Sequence, residues 1–256
     1  MSGSAERLVE ALEAVSVSPE GVSVTEAARI LNMSKAAASR LLASLATTGL
    51  LERDSAQRYF LGLRLWEFGA QAARRLRIAD ISRTLVLQAS NDTGTRVHLS
   101  VLRGDKAYFL EMTDFAHGTA IPVMPAMPTV PAYACAPGKV MLAYQREADV
   151  QALFRGPLQA YTARTHTSAS ELLDELHRIR EQGYGVNTGE YMQGHIGVAV
   201  PIHDYTGRVI AAIGCSGFGS DFPNADPLTQ LPAMRDVAQS ISVIMGYKAR
   251  ARTTAG

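Results

Sequence analysis

At 256 residues the chain has room for one large domain or two ordinary ones. Its 47% hydrophobic and 19% charged residues exclude a disordered or fibrous chain, and a formal charge of +1 gives no global basicity to advertise a nucleic-acid partner. No apolar run reaches the ~18 residues of a membrane helix, and the N-terminus, MSGSAERLVEALEAV, is acidic and amphipathic instead of basic-then-apolar as in a signal peptide. A cytoplasmic protein with no membrane partner is expected. Local charge is more informative: residues 29–77 carry nine Lys/Arg against three acids, whereas residues 1–28 carry one Arg against five acids. That contrast fits either a basic patch or a solvated helix face.

Leu8, Ala11, Leu12 and Val15 recur at helical spacing and predict a first helix ending near SPEG. In SVTEAARIL, Ser23 with Glu26 forms a capping box that opens a short second helix stopping at Asn32. Ser34 is the next N-cap, for the helix MSKAAASRLLASL, which Gly49 ends. Ala38, Leu41, Leu42 and Leu45 make its buried stripe and leave Lys35, Ala36, Ser39, Arg40, Ala43 and Thr47 outward. LLERDSAQRYFLG then reads as two short strands around a polar tip. Helix, helix, tight turn, helix and hairpin make a winged helix-turn-helix, here mainly α.

The stretch from Leu61 to Arg77 reads as a long amphipathic connector helix whose face of Leu65, Trp66, Gly69, Ala73 and Leu76 must bury, with a second copy of the chain as the expected cover. Beyond it, a helix over 78–93 precedes the strands RVHLSVL and KAYFLEM, and a Pro/Met-rich passage leads to a helix over 137–144. A capping box at Ser168 and Glu171 opens a helix closed by Gly183. GYGVNTGE, HIGVAVPIHD and RVIAAIGCSG read as strands, and a last helix covers 227–250. Hairpin-linked strands with helices on a face predict an α+β domain around an antiparallel sheet. The expected division is 1–62 for the DNA-binding domain, 63–77 for a helical linker, and 78–250 for the larger domain.

VSVTEAARILNMSKAAASRLLASLATTGLLERDSAQRYFLGLRLWEFG resembles the DNA-binding domain of the IclR family of bacterial transcriptional regulators. TGTRVHLSVLRGDKAYFLE, APGKVMLAY and LHRIREQGYGVNTGEYMQGHIGVAVPIHDYTGRVIAAIGCSG follow in the family's order. The resemblance implies a ligand-responsive regulator, with a winged helix gripping double-stranded operator DNA and a GAF-like α+β domain sensing a small-molecule effector. It also implies a homodimer or a dimer of dimers.

For DNA, Arg40 suits a guanine or a phosphate, or else a surface ion pair; Ser34, Lys35 and Ser39 are phosphate or base partners. Arg58 at the wing tip is expected in the minor groove or on the backbone. Family recognition helices commonly have Thr and His where Ala37 and Ser39 stand, so methyl contacts, with Ala36 among them, and DNA shape must share the discrimination.

For the effector, Pro137 opens a helix whose Gly138 and Lys139 amides either face a carboxylate or merely shape a turn. By resemblance the pocket is lined by Ala136, Pro137, Asn187, His195, Gly197, Gly214 and Ser216, with Met124 and Met127 as an apolar wall; His195 and the Met pair equally suit core packing. The family often has Asp, Cys and Ser at 187, 197 and 214, so this pocket is read as less acidic or roomier and suited to an organic acid larger than glyoxylate or pyruvate, such as an aromatic carboxylate or its amide-like derivative.

Cys135 and Cys215 have no metal spacing, and neither a disulfide nor a cofactor is demanded. A hydrolase would need a nucleophile such as Cys135 or Ser216 in a recognisable arrangement with a histidine, and none is present. A winged-helix protein without an effector remains the other alternative.

Overall fold

The computed structural model describes residues 4–74, 77–125 and 127–248, and the chain divides into two units between residues 75 and 76, each with its own core. In the first unit, α1 (Ser4–Ser16), α2 (Val24–Ile30) and α3 (Lys35–Thr47) precede a hairpin of β1 (Leu51–Arg53) and β2 (Tyr59–Leu61), followed by α4 (Leu63–Arg74). The capping box is complete: Ser23 Oγ accepts from the Glu26 amide at 3.3 Å, and Glu26 Oε2 accepts from the Ser23 amide at 2.7 Å. Ser34 Oγ accepts from the Ala37 amide at 3.2 Å and starts α3. Gly49, at φ +74°, takes the left-handed conformation that turns the chain out of α3. Val22 pairs with Tyr59 and adds a third short edge to the hairpin.

Ala38, Leu42 and Leu45 carry the buried stripe of α3 against Ala11, Val15, Ala27 and Tyr59. Leu41, expected in that stripe, is only half-buried at its edge. In α4, Leu63, Trp66 and Phe68 are exposed. Leu76, expected on the same face, lies outside the described residues.

The second unit runs α5 (Arg77–Thr93), β3 (Val97–Arg103), β4 (Lys106–Ala116), β5 (Thr119–Pro122), β6 (Thr129–Pro131), α6 (Ala136–Ala143), α7 (Glu147–Leu153), α8 (Ala169–Gln182), β7 (Gly185–Thr188), β8 (His195–His203), β9 (Val209–Phe218) and α9 (Leu231–Ile244). The strands form an antiparallel sheet in the order β5-β4-β3-β9-β8-β7, with β6 also on β4.

Alternation along each strand gives the sheet two different faces. Val97, Leu99, Val200, Ile202 and Ile213 face Val86 of α5 and Met234 and Ile241 of α9. Small residues on the other face, Ala107, Ala199 and Ala212, face Val140 and Met141 of α6 and Leu172 and Ile179 of α8. The α+β class around an antiparallel sheet is as expected, but helices cover both faces of the sheet where one was expected, because both faces carry apolar residues.

Two expectations change. The final helix starts at Leu231 after a 3-10 turn over Pro227–Gln230, because Pro232 has no amide to extend an earlier helix. It ends at Ile244, short of 250, and residues 249–250 lie outside the described ones. The capping box at Ser168 is half-formed: Ser168 Oγ accepts from the Glu171 amide, but the Glu171 carboxylate accepts from the Thr167 amide.

Candidate functional site

In the first unit, α2 ends in Leu31 and Asn32, the latter at φ +48°, and two residues later Ser34 caps α3. Ser34, Lys35, Ala36, Ser39 and Arg40 are all exposed. Among the described residues, neither Lys35 nor Arg40 forms an ion pair, so both charges remain available to a partner.

Arg58 is different. Its Nε donates to the Glu20 carbonyl at 2.6 Å and one terminal nitrogen to the Gly21 carbonyl at 2.7 Å, with Glu26 Oε2 at 3.0 Å. The side chain turns back from the hairpin to the start of α2, so Nε and one terminal nitrogen of the guanidinium expected on DNA are already bonded within the protein. The reason is local: two carbonyls and a carboxylate converge where the guanidinium can satisfy all three. The Ser23 amide, helped by the Ser23 hydroxyl and Arg58, holds the Glu26 carboxyl below its ordinary value.

The second unit contains a cavity of about 320 Å³ above the small-residue face of the sheet. Its geometry follows from two cross-strand rows. In one, Gly185, Ala199, Gly214, His98 and Met112 lie side by side across β7, β8, β9, β3 and β4. In the next, Asn187 pairs with Gly197 and Gly197 with Ser216, whose amide donates to the Arg96 carbonyl. Helix α6 approaches the first row closely, since a Cβ on Gly185 would lie 2.9 Å from Val140 Cγ2 and 3.2 Å from the Ala136 carbonyl. The cavity opens beside the start of that helix.

Seven of the expected effector residues line it: Met127, Ala136, Pro137, Asn187, His195, Gly197 and Ser216. Met124 does not, and is 86% exposed. Gly138 and Gly214 are packing positions outside the lining. A Cβ on Gly138 would lie 2.3 Å from the Ala132 carbonyl oxygen, and one on Gly214 would lie 2.4 Å from the Val198 carbonyl oxygen. The Lys139 amide is also not free. The helix begins at Ala136, one residue before the expected Pro137, so the Lys139 amide already donates to the Cys135 carbonyl at 3.0 Å.

Sequence reasoning missed Arg96, His98, Phe109, Met112, Tyr191 and Phe218 in the lining. A signal existed at the start of β3, where Arg96, just before the strand, and His98 and Ser100 within it alternate with Val97, Leu99 and Val101 and so place three polar groups on one face. His98 is 2% exposed, and burial, with His195 and Arg96 adding to it, pushes its imidazole down to about 3. His195 is held low by burial and then by Arg96. Burial pushes both thiols that border the cavity, Cys135 and Cys215, up to about 12, and both are free.

Asn187 is fixed in place: its Nδ2 donates to the His195 carbonyl at 2.8 Å, and its Oδ1 accepts from the amides of Gly189 and Glu190 at 3.3 Å. Glu190 in turn reaches Lys139. That lysine has no accessible surface, and its Nζ donates to Glu190 Oε1 at 2.7 Å and Glu175 Oε1 at 2.6 Å. His166 closes the cluster on Glu175. Among the described residues, no group of three or more His, Cys, Asp or Glu is placed to hold a metal ion.

The profile of the IclR helix-turn-helix domain matches residues 4–55, and that of the bacterial transcriptional regulator IclR C-terminal domain matches residues 70–243. The chain belongs to the IclR family. Among similar proteins is the transcriptional regulator XynR of Escherichia coli K12, 28% identical over 248 residues that cover 96% of this chain and 98% of XynR. The crystal structure of Thermotoga maritima IclR is similar, with 29% identity, a TM-score of 0.73, and coverage of 95% of this chain and 98% of that one. An IclR homolog of Microbacterium hydrocarbonoxydans, complexed with 4-hydroxybenzoate, shares the fold at 23% identity and a TM-score of 0.77, covering 93% and 97%. This IclR-family protein therefore has the two parts of a ligand-responsive, DNA-binding transcriptional regulator, and α3 and the cavity sit in the respective parts.

Proposed function

We propose that this IclR-family regulator acts as a local repressor whose cavity senses a small organic acid with an aromatic body. The observation that carries the reading is the lining itself: Phe109, Met112, Met127, Tyr191 and Phe218 offer apolar and aromatic walls to a molecule of ring size, while Arg96, His98, Asn187 and Ser216 supply a few polar groups. The 4-hydroxybenzoate complex of a protein with the same fold supports an aromatic acid as a first probe.

On the DNA side, Arg40, Lys35, Ser34 and Ser39 of α3 meet the major groove and its phosphates, with Ala36 against thymine methyls. Arg58 serves by holding the hairpin. The exposed Leu63, Trp66 and Phe68 of α4 support pairing with a second copy, as a homodimer or a dimer of dimers. The sensing domain is read as GAF-like. An effector that prefers one arrangement of the paired chains shifts operator affinity, and the operator shifts effector affinity by the same factor.

The test is a mobility-shift titration on the DNA upstream of the protein's own gene, at several salt concentrations, with and without candidate acids. Salt-sensitive retention that an acid changes is expected. Retention indifferent to salt and to every acid refutes the reading.

A further inference from the structure

The cavity lining is electrically one-sided. Among the described residues it holds one permanent cation, Arg96, two imidazoles, His98 and His195, and no carboxylate. Arg96 has an ion-pair partner outside the lining, Asp114 Oδ1, 3.0 Å from one terminal nitrogen. Its Nε is buried and has no hydrogen-bond partner, and neither has Nδ1 of His98 two residues further along the strand. Buried polar atoms left unmatched are destabilising, so two of them that border one cavity, side by side at the start of β3, mark a place where a third molecule completes the bonding.

The chemistry of that molecule follows from the groups present. Arg Nε is a donor only, and His98, kept neutral by its burial, carries one N–H to donate. An acceptor with negative charge satisfies the first and can take the second. A single permanent cation matches a monoanion, and the surrounding Phe109 and Met112 match an apolar body attached to it.

We propose that the Arg96–His98 corner at the start of β3 is the anion-binding end of the cavity and makes this protein select a carboxylate over its uncharged analogue. The inference rests on reading the cavity as the effector pocket. It places the carboxylate at the sheet, whereas the sequence pointed to the start of α6, where the Lys139 amide is already bonded. Arg96 is thus a specificity-determining residue, and Asp114 moderates it by sharing its charge.

The experiment measures binding to the full-length protein, by calorimetry and thermal shift, for benzoate, 4-hydroxybenzoate, phenylacetate and hexanoate, each beside its amide. At least one acid is expected to bind wild type about ten- to a hundredfold more tightly than its amide. Arg96→Gln should erase that ratio while moving the amide less than about threefold. Because loss of the Asp114 pair in that variant could disturb folding, Asp114→Asn provides a second arm that leaves the cavity lining intact; it should widen the ratio by freeing the guanidinium. Acids and amides binding wild type alike, or a ratio unmoved in both variants, overturns the anion corner and leaves the effector pocket standing. Failure of every acid and every amide to bind overturns the pocket and the corner together.

Discussion

Nζ of Lys139 and Oε1 of Glu190 lie 2.7 Å apart, with no accessible surface on the lysine and 4% on the glutamate residue. A buried charge pair of this kind adds little net stability compared with an apolar packing of the same volume, but removing one partner strands the other. Here two carboxylates would lose the ammonium, Glu190, left with the Thr188 amide, and Glu175, left with His166. Lys139→Met is therefore expected to destabilise the second unit by about 3–5 kcal/mol. Urea denaturation followed by tryptophan-independent circular dichroism measures this, and a loss below about 1 kcal/mol would contradict the account.

Arg40 and Arg58 should separate cleanly. Arg40→Ala removes a free charge from the exposed face of α3 and is expected to weaken operator binding by about 1–3 kcal/mol without changing the melting of the protein. Arg58→Ala removes bonds to the Glu20 and Gly21 carbonyls and to Glu26, and should cost the first unit about 1.5–3 kcal/mol of stability. Its salt dependence of DNA binding should match wild type, because its guanidinium is engaged by the Glu20 and Gly21 carbonyls and Glu26. Parallel titrations over a salt series and melting curves decide between the two roles.

Acid should weaken the fold through His98. Its folded value of about 3 lies below its ordinary value near 6.5, so below that pH the unfolded chain binds the extra proton and the folded chain does not. Stability is full above about pH 6.5 and falls as pH drops, by about 2 kcal/mol near pH 5 from this residue. His195 and His203, both lowered first by burial, act in the same direction. Denaturation midpoints across pH 5 to 8 should show this slope, and His98→Gln should flatten it.

Gly138→Ala is expected to prevent normal packing at the start of α6, because the new methyl would meet backbone atoms of Ala132 at 2.3 and 2.4 Å that no rotamer change can move. Overpacking of this sort costs about 1–3 kcal/mol or more. A melting temperature equal to wild type would show that the backbone yields there.

What the sequence made legible was local. Ser23 and Ser34 announced two helices because a cap and its amide are three residues apart. Helix α7 was missed because its N-cap position, Arg146, makes no side-chain capping bond, and β5 and β6 were hidden in a stretch rich in Pro and Met. Most of the cavity residues named from the family's motifs do line it, yet Arg96 and His98 were passed over although their alternation was visible. The inward turn of Arg58 was not legible, since its carbonyl partners are 37 and 38 residues away. Nor were the partners of Lys139, which are 36 and 51 residues away on separate elements. Sequence spacing encodes caps and faces; it does not encode which distant charges meet.

The carboxamide of Asn187 borders the cavity and also ties down the loop that brings Glu190 to Lys139. A guest that drew this side chain toward itself would have to take it from the His195 carbonyl or from two loop amides. A single carboxamide thus joins the chamber wall to the loop of Glu190, and through the Lys139 ammonium that chain of bonds reaches Glu175 on α8.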